Sequence, residues 1–139
     1  MASNDLSSLP GTQQLRVQIP VAMGSATTDD EYPGVVAPTN LTIKAVRFVP
    51  LAAVTANGTN FTVLSVRNRG AAGAGTALPA SRSWAATNSA AFVPDTCALS
   101  GTASDLLVSA GDVLTVQRVH TASGVIIPAG TVEIDYTVR

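Results

Sequence analysis

The clearest order in this chain lies in its last third, where apolar and polar residues alternate. Across 131–139, Val132, Ile134, Tyr136 and Val138 fall on one parity, and Glu133, Asp135, Thr137 and Arg139 on the other. Successive side chains of a strand point to opposite faces, so the pattern predicts a strand with one face in a core and the other in water. The run 112–120 is a second β-rich segment, expected to join the first through a short polar turn at Ala122-Ser123-Gly124. Near the start, Leu15, Val17 and Ile19 alternate within 13–19 and stop at Pro20, which predicts a first strand. In 41–49 the apolar residues begin at the odd positions Leu41 and Ile43, then move to the even positions Val46 and Phe48. A change of facing inside one strand predicts a bulge or a crossing between sheets.

Between these segments the signals are shorter. Asn57-Gly58 marks a turn before a strand over 60–67, and the Gly/Ala run 69–75 reads as a loop. Short strands are expected at 76–80, 90–93, 96–99 and 106–109, the first two flanking Trp84, and a short helical turn at 50–56. Residues 21–39, with Asp29, Asp30, Glu31, Pro33-Gly34 and Pro38, read as one long loop. No segment sustains a helical apolar period with caps. Several short strands separated by turn signals predict an all-β fold, an antiparallel β-sandwich of jelly-roll type. Residues 1–12, mostly Ser, Asn, Gly and Pro with isolated Leu6 and Leu9, read as an extended N-terminal arm ahead of a single domain over 13–139. Such an arm reaches roughly 40 Å, enough to cross to a neighbouring molecule.

Composition narrows the function. Charged residues make up 12% of the chain, about half the usual share, and the net charge is −1. The surface is therefore built from small polar and apolar residues or is covered by a partner. No cluster of cations is present to displace counterions, so nucleic acid is not an expected partner. No apolar run is long enough to span a bilayer, and the Met-Ala-Ser-Asn-Asp-Leu start has no secretory pattern, so no membrane association is expected and synthesis is expected in the cytoplasm.

Reactive groups are few. Cys97 is the sole cysteine, which excludes an intrachain disulfide and suits a buried thiol. His120 ends a strand with no motif around it; Asp112 and Asp135 are the acids on flanking elements. Asp112, after Ala110-Gly111, suits a turn into the following strand. Asp29, Asp30 and Glu31 lack the alternating spacing of a calcium loop and read as a solvated acidic loop, with electrostatic docking as a second reading. Glu133 and Asp135 share a strand face, where cross-strand pairing with Arg118 or another arginine competes with a glycosidase-like pair of acids. A sugar cleft would also present aromatic platforms, and aromatic residues are 4% of the chain. The expectation is a protein without catalytic residues, cofactor or metal, and not an enzyme.

Several stretches resemble a known family. Phe48-Val49-Pro50-Leu51-Ala52-Ala53-Val54, Leu64-Ser65-Val66-Arg67-Asn68-Arg69-Gly70, Leu99 to Ala103, Ser109 to Leu114, and Pro128 to Ile134 are similar to small virion proteins of long-tailed bacteriophages, particularly those of actinobacteria. The resemblance covers roughly residues 41–139. It implies a capsid decoration (cement) protein on the outer surface of the virion, whose partners would be the major capsid protein and itself, as a homotrimer at threefold or quasi-threefold positions. Under that reading Leu6, Leu9, Leu15 and Val17, on the arm or an edge strand, together with Asp29, Asp30 and Glu31, are the candidate capsid or subunit contacts. The competing readings are a phage tail or head-fibre subunit, and a carbohydrate-binding or hydrolytic β-sandwich.

Overall fold

The computed structural model describes residues 11–139. These form nine strands: β1 (Thr12–Ile19), β2 (Asp30–Val36), β3 (Leu41–Pro50), β4 (Phe61–Asn68), β5 (Ala77–Ser83), β6 (Asp95–Leu99), β7 (Leu107–Val108), β8 (Val113–Thr121) and β9 (Gly130–Val138). A single turn of 3-10 helix, Ala103–Leu106, precedes β7. The strands follow the order β1-β9-β3-β6-β5-β4-β8-β2, with β7 beside the start of β3, and every pairing is antiparallel. The result is an all-β, jelly-roll-like sandwich of two sheets. β6 belongs to both: Asp95, Thr96 and Cys97 pair with β3, while Ala98 and Leu99 pair with β5.

Local alternation accounts for much of what faces inward. Val17 and Ile19 of β1, and Val132, Ile134 and Tyr136 of β9, are buried in the shared core with Leu64 and Val66 of β4 and Leu114 and Val116 of β8. The parity change in β3 is a bulge. Ile43 pairs with Tyr136 and Ala45 with the adjacent Asp135, so Lys44 is the extra residue. Leu41 and Ile43 before it, and Val46 and Phe48 after it, can then all point into the core.

Four sequence expectations are corrected. The long loop 21–39 contains β2, an edge strand paired with β8. Pro33 and Gly34 argued against a strand, but an edge strand tolerates a missing donor, and the register shifts at this point. A Cβ at position 34 would collide with the Leu114 carbonyl and come within 2.9 Å of Val17 Cγ2, so glycine lets the two terminal strands β1 and β2 close on each other. Residues 50–56 form no helical turn; Val54 instead makes an isolated bridge to Ser89, and 90–93 turn rather than extend. Finally, β8 and β9 are not joined by a short polar turn. They lie in different sheets, and the connection crosses between them with Ile127 fully buried, Met23 N–H donating to its carbonyl at 3.0 Å, and the Thr62 hydroxyl donating to the Val125 carbonyl at 2.7 Å.

Candidate interaction surface

The acidic run divides: Asp29 stays on a solvated loop, while Asp30 and Glu31 lie on β2. Each carboxylate meets a side chain brought by another element, arginine for Asp30 and Glu31 and histidine for Asp29. Asp29 Oδ1 lies 2.7 Å from His120 Nδ1 and also accepts the His120 backbone N–H at 2.9 Å. Asp30 accepts from Arg118 at 2.7 Å, and Glu31 accepts from Arg69 Nε at 2.8 Å and from the Thr115 hydroxyl at 2.6 Å. Strand alternation turns Asp30 and Glu31 to opposite faces of β2, Asp30 toward the buried Arg118 and Glu31 toward Arg69. His120 thus pairs with Asp29, not with Asp112 or Asp135. Asp112 shapes its turn as expected, accepting from Ser109 N–H at 3.0 Å and from the Asn68 amide at 2.9 Å. Val17 is in the core, Leu15 packs against it, and the candidate contacts Leu6 and Leu9 lie outside the described residues.

The Glu31 pairing has a pH consequence. The hydrogen bond from Arg69 holds the Glu31 carboxyl down at about 2, helped by Thr115 and opposed by partial desolvation. A carboxyl lowered in the folded state adds stability above its unfolded pKa, and that contribution disappears as pH falls toward the folded value. Between pH near 4.5 and 2 the wild-type chain is therefore expected to lose stability that a Glu31→Gln variant never had. Urea midpoints of the two proteins should differ at pH 6 and converge at pH 2; a gap that stays constant would refute the pairing.

On the outer face of β9 the two acids bracket one arginine. Arg47 of β3 reaches Asp135 at 2.8 Å and Glu133 at 3.5 Å, while Arg16 of β1 lies 3.6 Å from Glu133. This is the cross-strand pairing expected from the sequence, with Arg47 as the partner and Arg118 engaged elsewhere. Cys97 is buried, and burial pushes its thiol up to about 12, out of the range of a reactive thiolate. Among the described residues no group of three or more His, Cys, Asp or Glu side chains is placed to hold a metal ion, and no helix is long and apolar enough to cross a membrane.

One apolar part of the surface is concave. Where β1, β3 and β9 meet at Ile19, Pro50 and Gly130, a cleft of about 300 Å³ opens, rimmed by Pro20, Leu51 and Phe92. Phe92 is 71% exposed and Leu51 58%. The Phe92 backbone sits at φ 60°, a left-handed conformation that bulky L-residues rarely adopt, and its N–H donates to the Pro50 carbonyl at 2.8 Å. Val21 and Val93, next in sequence to Pro20 and Phe92, are also exposed. None of these residues was singled out from the sequence as a contact. The available signal was Phe92-Val93-Pro94, two large apolar residues before a proline with no alternation to bury them, but it also fits a short strand.

No family model matches the chain, and no curated protein matches it. Among solved structures, 89% of the chain aligns with a chain in the structure of infectious bursal disease virus, Gx strain, at 12% identity and a TM-score of 0.41. The chain spans 32% of the length of that viral chain.

Proposed function

We propose that this chain is a structural protein of a virion, decorating and stabilising the outer surface of a bacteriophage capsid as a homotrimer bound to the major capsid protein. The observation that carries the reading is how the surface divides its chemistry. The acids Asp30, Glu31, Asp95, Glu133 and Asp135 are engaged by arginines of the same chain, while Phe92 and Leu51 stand exposed on the rim of the cleft. A surface on which most acids are paired with arginines of the same chain, and which presents an exposed aromatic side chain beside an apolar cleft, is suited to being covered by protein. The likeness of 41–139 to small phage virion proteins points the same way. Symmetric association covers such patches, and several weak attachments from one trimer make the later contacts intramolecular.

Copy number tests the proposal. In purified particles of the phage encoding this chain, its abundance by quantitative gel or mass spectrometry is expected to approach that of the major capsid protein. A few copies per particle would favour the tail or fibre reading, and absence from the particle would overturn a virion role.

A further inference from the structure

The apolar cleft beside Phe92 has an occupant that the chain itself supplies. We infer that it receives residues 6–10, Leu-Ser-Ser-Leu-Pro, of a second copy of this chain. Three observations lead there. First, the cleft is lined by Ile19, Pro20, Pro50, Leu51 and Phe92 and by no charged residue, and the segment 6–10 is equally uncharged. Second, Leu6 and Leu9 are three residues apart and Leu9 precedes proline, which disfavours helix and favours extended backbone. Grooves lined with aromatic and apolar side chains take proline-containing peptides. Third, Phe92 is held exposed in a backbone conformation that costs free energy, a feature that gathers at binding sites.

Chain reach decides which copy provides the arm. β1 runs away from the arm: Thr12 pairs with Thr137, and Ile19, at the cleft, pairs with Gly130. At roughly 3.3 Å per residue, Ile19 lies about 23 Å from Thr12. Leu9 is three residues from Thr12 and reaches at most about 11 Å from it when fully extended. The two leucines therefore cannot both enter the cleft of their own chain. The contact is head-to-tail, arm to cleft, and a closed ring of three such contacts gives the trimer proposed above. Only the ring number rests on that reading; the arm–cleft contact does not.

Complementation between full-length variants tests this. Leu6→Ser with Leu9→Ser removes the arm's apolar side chains and keeps the cleft. Phe92→Asn keeps the arm and removes the aromatic wall, and asparagine tolerates the left-handed conformation, so the turn is preserved. By sedimentation velocity, the wild-type chain should self-associate and each variant should be monomeric. An equimolar mixture of the two should form heterodimers. A labelled peptide of residues 2–12 should bind the Leu6→Ser/Leu9→Ser protein, roughly tenfold or more tighter than it binds the same protein carrying Phe92→Asn. A monomeric wild type, unchanged self-association in either variant, or no association on mixing folded variants would overturn the inference. If the mixture fails while the wild-type chain still covers phage particles, the inference falls and the virion reading survives. If pairing succeeds but the chain is missing from the particle, the reverse holds.

Discussion

Replacing Arg118 by methionine is expected to destabilise the fold by about 3–5 kcal/mol, the usual cost of removing one partner of a buried ion pair. Arg118 is 0% exposed, among the largest fully buried side chains of the described residues. Its guanidinium donates to Asp30 at 2.7 Å, to the Tyr32 hydroxyl at 3.0 Å, and to the Ile127 and Val21 carbonyls at 3.1 and 3.2 Å. It also sits 5.0 Å from the centroid of the Tyr32 ring. One side chain therefore ties β8 to β2, to the segment after β1 and to the crossing segment before β9. Its removal leaves the mostly buried Asp30 carboxylate without its cation and takes one donor from the Val21 and Ile127 carbonyls, of which Ile127 keeps the Met23 N–H. Arg118→Lys should be nearly as costly, because a point charge cannot serve acceptors spread around a planar fork. Adding Asp30→Asn to Arg118→Met should recover part of the loss, since the stranded charge goes with it. Urea denaturation followed by circular dichroism measures all three; a loss below about 1 kcal/mol for Arg118→Met would mean that the clamp is not formed. The arrangement has its own cost, because Arg118 Nε is a buried side-chain nitrogen without a hydrogen-bond partner.

Truncating Trp84 to alanine should cost a similar amount, about 3–5 kcal/mol, through the cavity it leaves. Trp84 is fully buried and meets Phe48 edge to face, with centroids 5.9 Å apart. Its indole N–H donates to the Ser89 hydroxyl at 2.6 Å, Ser89 in turn hydrogen-bonds Asp95, and Asp95 accepts from Arg82 Nε at 2.9 Å. The Arg82 guanidinium returns over the Trp84 ring at 5.0 Å, closing the network. Trp84→Phe keeps most of the apolar volume but removes the donor to Ser89, and should cost about 1–3 kcal/mol. The difference between the two variants separates packing from the polar network. If Trp84→Phe proved as damaging as Trp84→Ala, the network would outweigh the packing. Because Trp84 is the only tryptophan, both variants need a readout other than its fluorescence.

The network also shows where reading residues in order stops. Trp84 and Asp95 are eleven positions apart with no shared pattern, and only the pairing of β6 with both β3 and β5 brings the Asp95 carboxylate to Arg82 and Ser89. Arg118 is a sharper case. Within β8, Val113 and Val119 lie on one parity and Leu114 and Val116 on the other, so alternation alone leaves the inner face undecided. The structure buries the even face and leaves Val119 largely exposed, which carries Arg118 inward, where β2 already provides Asp30. The acidic run reads as a loop for the matching reason. Its partners, Arg69, Arg118 and His120, come from the position after β4 and from β8, and Pro33 and Gly34 mask β2 in the sequence.

Alternation in β1 and β9, the bulge in β3, the turn at Asp112 and the all-β class were legible in the chain, because each depends on a period or a turn confined to neighbouring residues. Which strands pair, which arginine meets which acid, and where Phe92 is left exposed depend on contacts between residues far apart in sequence. A periodic pattern records which way a side chain points from its own strand. It carries no record of the sheet that will face it, so the partners of Arg118 emerge only where β2 pairs with β8, and the cleft beside Phe92 only where β1 and β3 flank β9.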